Sequence, residues 1–235
     1  MENPVGLLEI EVSRAFKTAD GCPQCHLCDE SSHRYIRWVL HEYVNDGSFR
    51  AKFRDAFGMC PRHWELMIVQ DDALGNAILL EALGLQVSNA LSEAFGIAEA
   101  LSAKGDSRRK HNYLLHELFP DVVRRDLCPV CRTEIASEDA HLSTMCSMIA
   151  DGRINTHTAG SRLCLAHIIK AAAYLPLHLY GELLKAGSEE TSRVAQALGS
   201  LVDSVKPGVW PSGLEPNALR RVARALSLPT ISTRP

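Results

Sequence analysis

The chain has no stretch in which apolar and polar residues alternate over strand length, and only 6% of its residues are aromatic. Strands are therefore expected to be few or absent. No apolar run is long enough to cross a membrane. The most apolar stretch, about 73–101, is broken by Asn76, Glu81, Gln86, Asn89 and Glu93, and reads as a buried helix. Basic excess is missing too. A net charge of −3 argues against a protein coated in nucleic acid. The opening MENPVGLLEIEVSRAFK has no basic start followed by an apolar run. It does not read as a secretory signal, which leads us to expect a cytoplasmic protein whose cysteines stay reduced. No glycine-rich phosphate loop, Ser–His–Asp arrangement or paired-carboxylate site stands out.

What the chain does have is a cysteine–histidine signature, twice. The first copy is Cys22-Pro23-Gln24-Cys25 followed by Cys60-Pro61-Arg62-His63. The second is Cys128-Pro129-Val130-Cys131 followed by Cys164-Leu165-Ala166-His167. Six of the eight cysteines belong to these copies. Three thiolates and an imidazole form a standard closed, four-coordinate zinc set. Each copy is expected to close its own site: Cys22, Cys25, Cys60 and His63 for one Zn2+, and Cys128, Cys131, Cys164 and His167 for the other. Cys60 and Cys164 each precede an expected helix, with the histidine one turn on along the same face. A helix N-terminus also favours thiolate over thiol. An iron–sulfur cluster or a redox dithiol could use the same residues. No strand or βαβ pattern precedes Cys22 or Cys128, which weighs against a thioredoxin-like enzyme. Cys22 to His26 also fits a c-type haem attachment motif, but Arg132 replaces the histidine in the second copy. Cys28 and Cys146 have no counterparts and read as small buried thiols.

The rest of the chain reads as helix. Leu7, Leu8, Val12, Ala15 and Phe16 have helical period, as do Tyr35, Ile36, Val39, Leu40 and Tyr43. Ser48 is expected to cap a short helix carrying Phe49, Phe53 and Phe57, ended by Gly58. Asp151-Gly152 falls in the second copy where Asp46-Gly47 falls in the first, so the repeat reaches beyond the ligands. Lys104–Lys110 reads as a linker, and Lys206–Gly213 as a loop before a short helix near 215–227. We therefore expect an all-α fold of two pseudo-repeated, zinc-stapled units. The first spans 1–105, the second 106–205, and a loop, helix and tail occupy 206–235. The apolar helix near 71–103 would lie at the centre, packed by Ile168, Ile169, Leu175, Leu177, Leu179, Leu183 and Leu184 or by a second chain.

The pattern C-P-x-C, long helix, G-[LM]-C-x-x-H resembles an uncharacterised group of helical bacterial and archaeal proteins. Cys22, Cys25, Cys60, His63, Cys128, Cys131, Cys164 and His167 carry the resemblance; Arg162-Leu163 replaces Gly58-Met59 in the second copy. It implies metal binding and a helical fold, and no known reaction. With all four positions of each zinc filled by protein, the expectation is a non-enzymatic scaffold or adaptor acting by protein association or self-association. The alternatives are a thiol-based redox or metal-responsive protein, and a nucleic-acid-associated zinc protein. For the last, the basic clusters Arg108-Arg109-Lys110, Arg124-Arg125 and Arg220-Arg221 would serve. Trp210, in its Pro/Gly loop, is a candidate partner anchor.

Overall fold

A computed structural model describes residues 6–70, 72–102, 128–204 and 223. The linker at 104–110, the basic clusters, the Lys206–Gly213 loop with Trp210 and the helix near 215–227 lie outside the described residues. Among the described residues the fold is all-α, without strands. In chain order the helices are α1 (Leu7–Thr18), α2 (Pro23–Trp38), α3 (Gly47–Asp55), α4 (Pro61–Ile68) and α5 (Ala73–Ser102). They continue with α6 (Pro129–Ala150), α7 (Thr156–Arg162), α8 (Leu165–Ala171) and α9 (Leu177–Ser204). A single π-helical turn, Val39–Tyr43, extends α2. The same order therefore follows each Cys-Pro-x-Cys: a long helix, a short one, a second short one begun by a cysteine, and a long one.

Local chemistry explains these boundaries. Asp46, rather than Ser48, caps α3: its side chain accepts the Phe49 N–H at 2.6 Å, and the Ser48 hydroxyl donates to the same carboxylate at 2.8 Å. A carboxylate reaches the free N–H groups of a first turn and also meets the helix dipole. Asn155 caps α7 the same way, accepting from Thr158 N–H at 3.1 Å. The chain leaves α3 through Phe57 (φ 51°) and Gly58 (φ 80°), a left-handed pair that turns it sharply toward Cys60.

The described residues form two compact units. One is drawn from the chain up to Cys28 and from Ser137 onward, the other from Asp29–Ala136. The second unit is a continuous segment inserted within the first, whereas the repeat reading divides the chain at 105 and 205. The first unit's core gathers Val12 and Ala15 of α1, Leu27 of α2, Leu142, Met145 and Ile149 of α6, Ala159 of α7, Ile168 of α8 and Leu183 of α9. Close approach of α7 and α9 needs glycine: a Cβ on Gly160 would stand 2.5 Å from the Leu183 carbonyl oxygen. The second unit's core gathers Ile36, Val39, Leu40, Phe53, Met59, Met67, Leu79 and Val130. Beside it Tyr35, Trp38, Tyr43, Phe49, Phe53 and Trp64 form a continuous chain of ring contacts, with centroids 4.1–6.1 Å apart.

The expectation of a buried central helix is corrected here. Helix α5 is present, but beyond Leu79 none of its described side chains is buried, and Leu74, Leu85, Leu91 and Phe95 are exposed. The residues expected to pack on it belong elsewhere: Ile168, Leu175 and Leu183 lie in the first unit's core, and Ile169, Leu177 and Leu184 are exposed. High apolar content gave α5 the look of a core helix, yet burial needs partner surface that its own unit supplies only to its first turns.

Candidate metal centres

Four helix N-termini build the two centres. Cys22 and Cys128 stand directly before the prolines that open α2 and α6, a position where proline costs no hydrogen bond. Cys60 and Cys164 are the N-caps of α4 and α8, with nearly identical backbone angles (φ −69°, ψ 159° and φ −73°, ψ 161°). The histidine three residues on returns its ring to its own cysteine: Cys60 Sγ lies 3.2 Å from His63 Nδ1, and Cys164 Sγ 3.0 Å from His167 Nδ1.

The ligands group across the copies, not within them. Cys22 and Cys25 meet Cys164 and His167, all in the first unit; Cys60 and His63 meet Cys128 and Cys131, all in the second. The expected pairing of each Cys-Pro-x-Cys with the next Cys-x-x-His is therefore corrected, while all eight residues take part in one cluster or the other. Helix length supplies the reason. Helix α2 with its π turn carries the chain roughly 31 Å away from Cys22, and α3 returns only about 14 Å of helix. In the second copy α6 runs out about 33 Å and α7 returns about 10 Å.

Within each cluster the imidazole Nδ1 faces three sulfurs. His63 Nδ1 lies 3.2, 3.4 and 3.3 Å from Cys60, Cys128 and Cys131. His167 Nδ1 lies 3.0, 3.4 and 3.5 Å from Cys164, Cys22 and Cys25. Sulfur pairs are separated by 3.7 Å at Cys25–Cys164 and at Cys60–Cys131. A tetrahedral zinc with ordinary bond lengths would set S···S at about 3.8 Å and N···S at about 3.6 Å. The donor set thus fits such an ion, with the nitrogens slightly drawn in.

The electrostatics fit as well. Hydrogen bonding from Cys131, with help from His63, holds the Cys128 thiol down to about 3. Hydrogen bonds from Cys22 and Cys25 depress Cys164. Burial alone would lower His63, but Cys128 and Glu134 push it up to about 10. The neighbouring thiols go the other way: hydrogen bonds with Cys164 and Cys22 push the Cys25 thiol up, and a hydrogen bond with Cys128 together with burial pushes up Cys131, so each cluster gathers negative charge on one sulfur beside a raised imidazole.

Sequence reasoning missed the groups behind the histidines. Glu138 Oε1 lies 2.8 Å from His167 Nε2, and Lys170 Nζ lies 2.5 Å from the same oxygen. Glu134 Oε2 lies 3.3 Å from the fully buried His63 Nε2, an ion-pair distance without hydrogen-bond alignment. Arg62 grips Glu134 with both terminal nitrogens, Nη1 to Oε2 at 3.1 Å and Nη2 to Oε1 at 3.0 Å. A carboxylate on the far nitrogen fixes which nitrogen is left to a metal and raises its basicity. Both glutamates come from α6, one turn apart. Their only sequence signal was that spacing, shared by any solvated helix face. Gln24, inside the first Cys-Pro-x-Cys, donates to the Glu138 carbonyl at 2.9 Å and braces that turn.

Cys28 also lies at the first centre, with its sulfur within 4.8 Å of Glu138 and His167 ligand atoms. Cys146 is buried in the first core, and burial pushes its thiol up to about 12. Among the described residues no helix is long and apolar enough to cross a membrane.

The chain belongs to a family of unknown function, DUF6062, whose profile matches residues 5–197 and so spans all eight cluster residues. No curated protein and no solved structure matches it.

Proposed function

We propose that each cluster holds one Zn2+ and that the protein is a zinc-stabilised helical scaffold that works by associating with a partner protein or with itself. The observation that carries this reading is the pair of complete Cys₃His sets, each with its imidazole Nδ1 among three sulfurs. Four protein ligands leave no coordination position for water or substrate, which is the mark of a structural site. When bound, zinc supplies charge neutralisation and a rigid tie between two helix starts. Cys22, Cys25, Cys164 and His167 would tie α2 to α8, and Cys60, His63, Cys128 and Cys131 would tie α4 to α6. Glu134 and Glu138 would orient the imidazoles. The exposed apolar residues of α5, Leu85, Leu91 and Phe95 among them, support association as the working mode.

Elemental analysis of protein purified without chelator, combined with native mass spectrometry, tests both parts. Two zinc equivalents per chain and a bound partner or dimer are expected. Zero or one equivalent, or an iron–sulfur absorption band, would overturn the zinc assignment. A strict monomer that captures no partner through the α5 face would overturn the scaffold role.

A further inference from the structure

Helix α3 repeats a Phe-Arg pair at four-residue spacing, Phe49-Arg50 and Phe53-Arg54. That spacing stacks the two phenylalanines on one face and the two arginines, one turn apart, on the face beside it. The phenylalanines pack into the second unit's core. The arginines are half-buried and line a cavity of about 280 Å³ between α3 and α5. Ile78 and Leu85 of α5 give the cavity an apolar lining, and Glu81, Gln86 and Asn89 give it polar groups. Glu81 is the one carboxylate among the described residues that line it, and it forms no ion pair with either arginine. Arg50 Nε is buried without a hydrogen-bond partner. Elsewhere the chain commits its guanidiniums: Arg62 to Glu134, Arg153 to Glu9, Arg193 to Glu190, and Arg162 to the Phe16 and Ala19 carbonyls. A buried guanidinium N–H without an acceptor costs desolvation free energy that nothing in the fold returns. A paired set of such groups in a cavity is a site waiting for an acceptor.

We propose that this cavity binds a phosphate monoester of a small hydroxylated molecule, with Arg50 and Arg54 clasping the phosphate between them. A carboxylate has two oxygens, which a single guanidinium fork already fills; a phosphate monoester offers three and carries nearly two negative charges at neutral pH, matching two forks. Gln86 and Asn89 supply neutral donors and acceptors beside the arginines. Glu81 would repel a second anionic group and accepts from a ligand hydroxyl, while Ile78 and Leu85 cover carbon. The volume lies below the usual range for drug-sized ligands, which limits the occupant to a small one. The site owes nothing to the metal centres, so it stands or falls apart from the zinc reading.

Calorimetric titration of the full-length protein with glycerol 3-phosphate is the test. One site per chain is expected, with weaker binding of inorganic phosphate, markedly weaker binding of glycerate and none of glycerol. Arg50→Gln and Arg54→Gln should each weaken glycerol 3-phosphate binding by about tenfold or more. Arg153→Gln, which removes a guanidinium already paired in the first unit, should leave it unchanged. Glu81→Ala should weaken glycerol 3-phosphate and spare inorganic phosphate. A second measurement separates ligand binding from a structural role. Arg50→Met keeps the apolar stem and drops the unpartnered donor, so without ligand it should melt at or above the wild-type temperature. No binding of glycerol 3-phosphate, glycerate bound as tightly, or arginine variants that bind like wild type overturn the proposal. So does an Arg50→Met protein that melts lower or fails to fold, since the guanidinium would then serve the fold and not a ligand.

Discussion

Cys60 and Cys164 each do two things at once: they open a helix as its N-cap and they place sulfur in a Cys₃His cluster that could hold a metal. Their loss should therefore cost far more than the loss of a buried thiol. Cys60→Ser or Cys164→Ser should remove one metal and a stabilisation on the order of 10 kcal/mol. Cys146→Ser should cost about 1–2 kcal/mol. Equal losses in thermal melts of these variants would contradict the ligand assignment. Cys146 makes a separate prediction in alkali. Its folded thiol is raised to about 12 from an ordinary value of 9.0. A raised thiol contributes stability that is complete below pH 9 and is lost as pH climbs toward 12, because the unfolded chain gives up the proton first. Cys146→Ala should flatten the fall in urea stability between about pH 9 and 11; an unchanged slope would show that burial does not hold this proton. At this scale the sequence was most readable. The eight cluster residues announce themselves because thiolate and imidazole at single-turn spacing have few other uses. Glu134 and Glu138 did not, because a helix carboxylate looks the same whether it faces water or an imidazole.

The helices decide which residues meet. A long outward helix and a short return separate each Cys-Pro-x-Cys from the Cys-x-x-His that follows it, so partners come from the other copy. Ligand chemistry is identical in both copies, which is why the sequence picked out the eight cluster residues but led us to expect the wrong grouping. Metal counting in double variants reads the pairing directly. Cys22→Ser with Cys164→Ser damages a single centre and should leave one equivalent. Cys22→Ser with Cys60→Ser damages both and should leave none. The reverse result would restore the within-copy grouping. The carboxylates of α6 supply a finer prediction. Glu138→Gln or Glu134→Gln should weaken metal binding by about 10–100-fold in competition with a chromophoric chelator, leaving stoichiometry at saturation unchanged. Affinities equal to wild type would mean that these glutamates do not orient the histidines. Helix α5 teaches the opposite lesson about legibility. Its span was readable within a residue or two, but its burial was not, since apolar content records a need for cover and not who provides it.

Across the whole molecule, each compact unit owns one complete cluster; one unit is the continuous segment Asp29–Ala136, and the other is drawn from the chain on either side of it. A fragment of residues 29–136 contains Cys60, His63, Cys128 and Cys131, and should bind one metal and melt cooperatively. Residues 1–105 contain four ligands from two different centres, and should neither melt cooperatively nor retain metal through dialysis. A folded, metal-bound 1–105 monomer would overturn this architecture. The pairing has a further consequence, for the order of events at the ribosome. Along the chain the ligand pairs occur as outer, inner, inner, outer, so the second centre is nested inside the first. During synthesis Cys22, Cys25, Cys60 and His63 emerge first as a full but wrong tetrad. The correct inner set completes only when Cys131 appears, and the outer set waits for His167. Closing the wrong tetrad needs a loop about half as long as the inner one, an entropic advantage of only about 0.5 kcal/mol. That tetrad lacks both Glu134 and Glu138, which arrive with α6. On the metal reading, an ion taken up early would be held loosely by the mismatched set and surrendered to the inner pair once α6 is made.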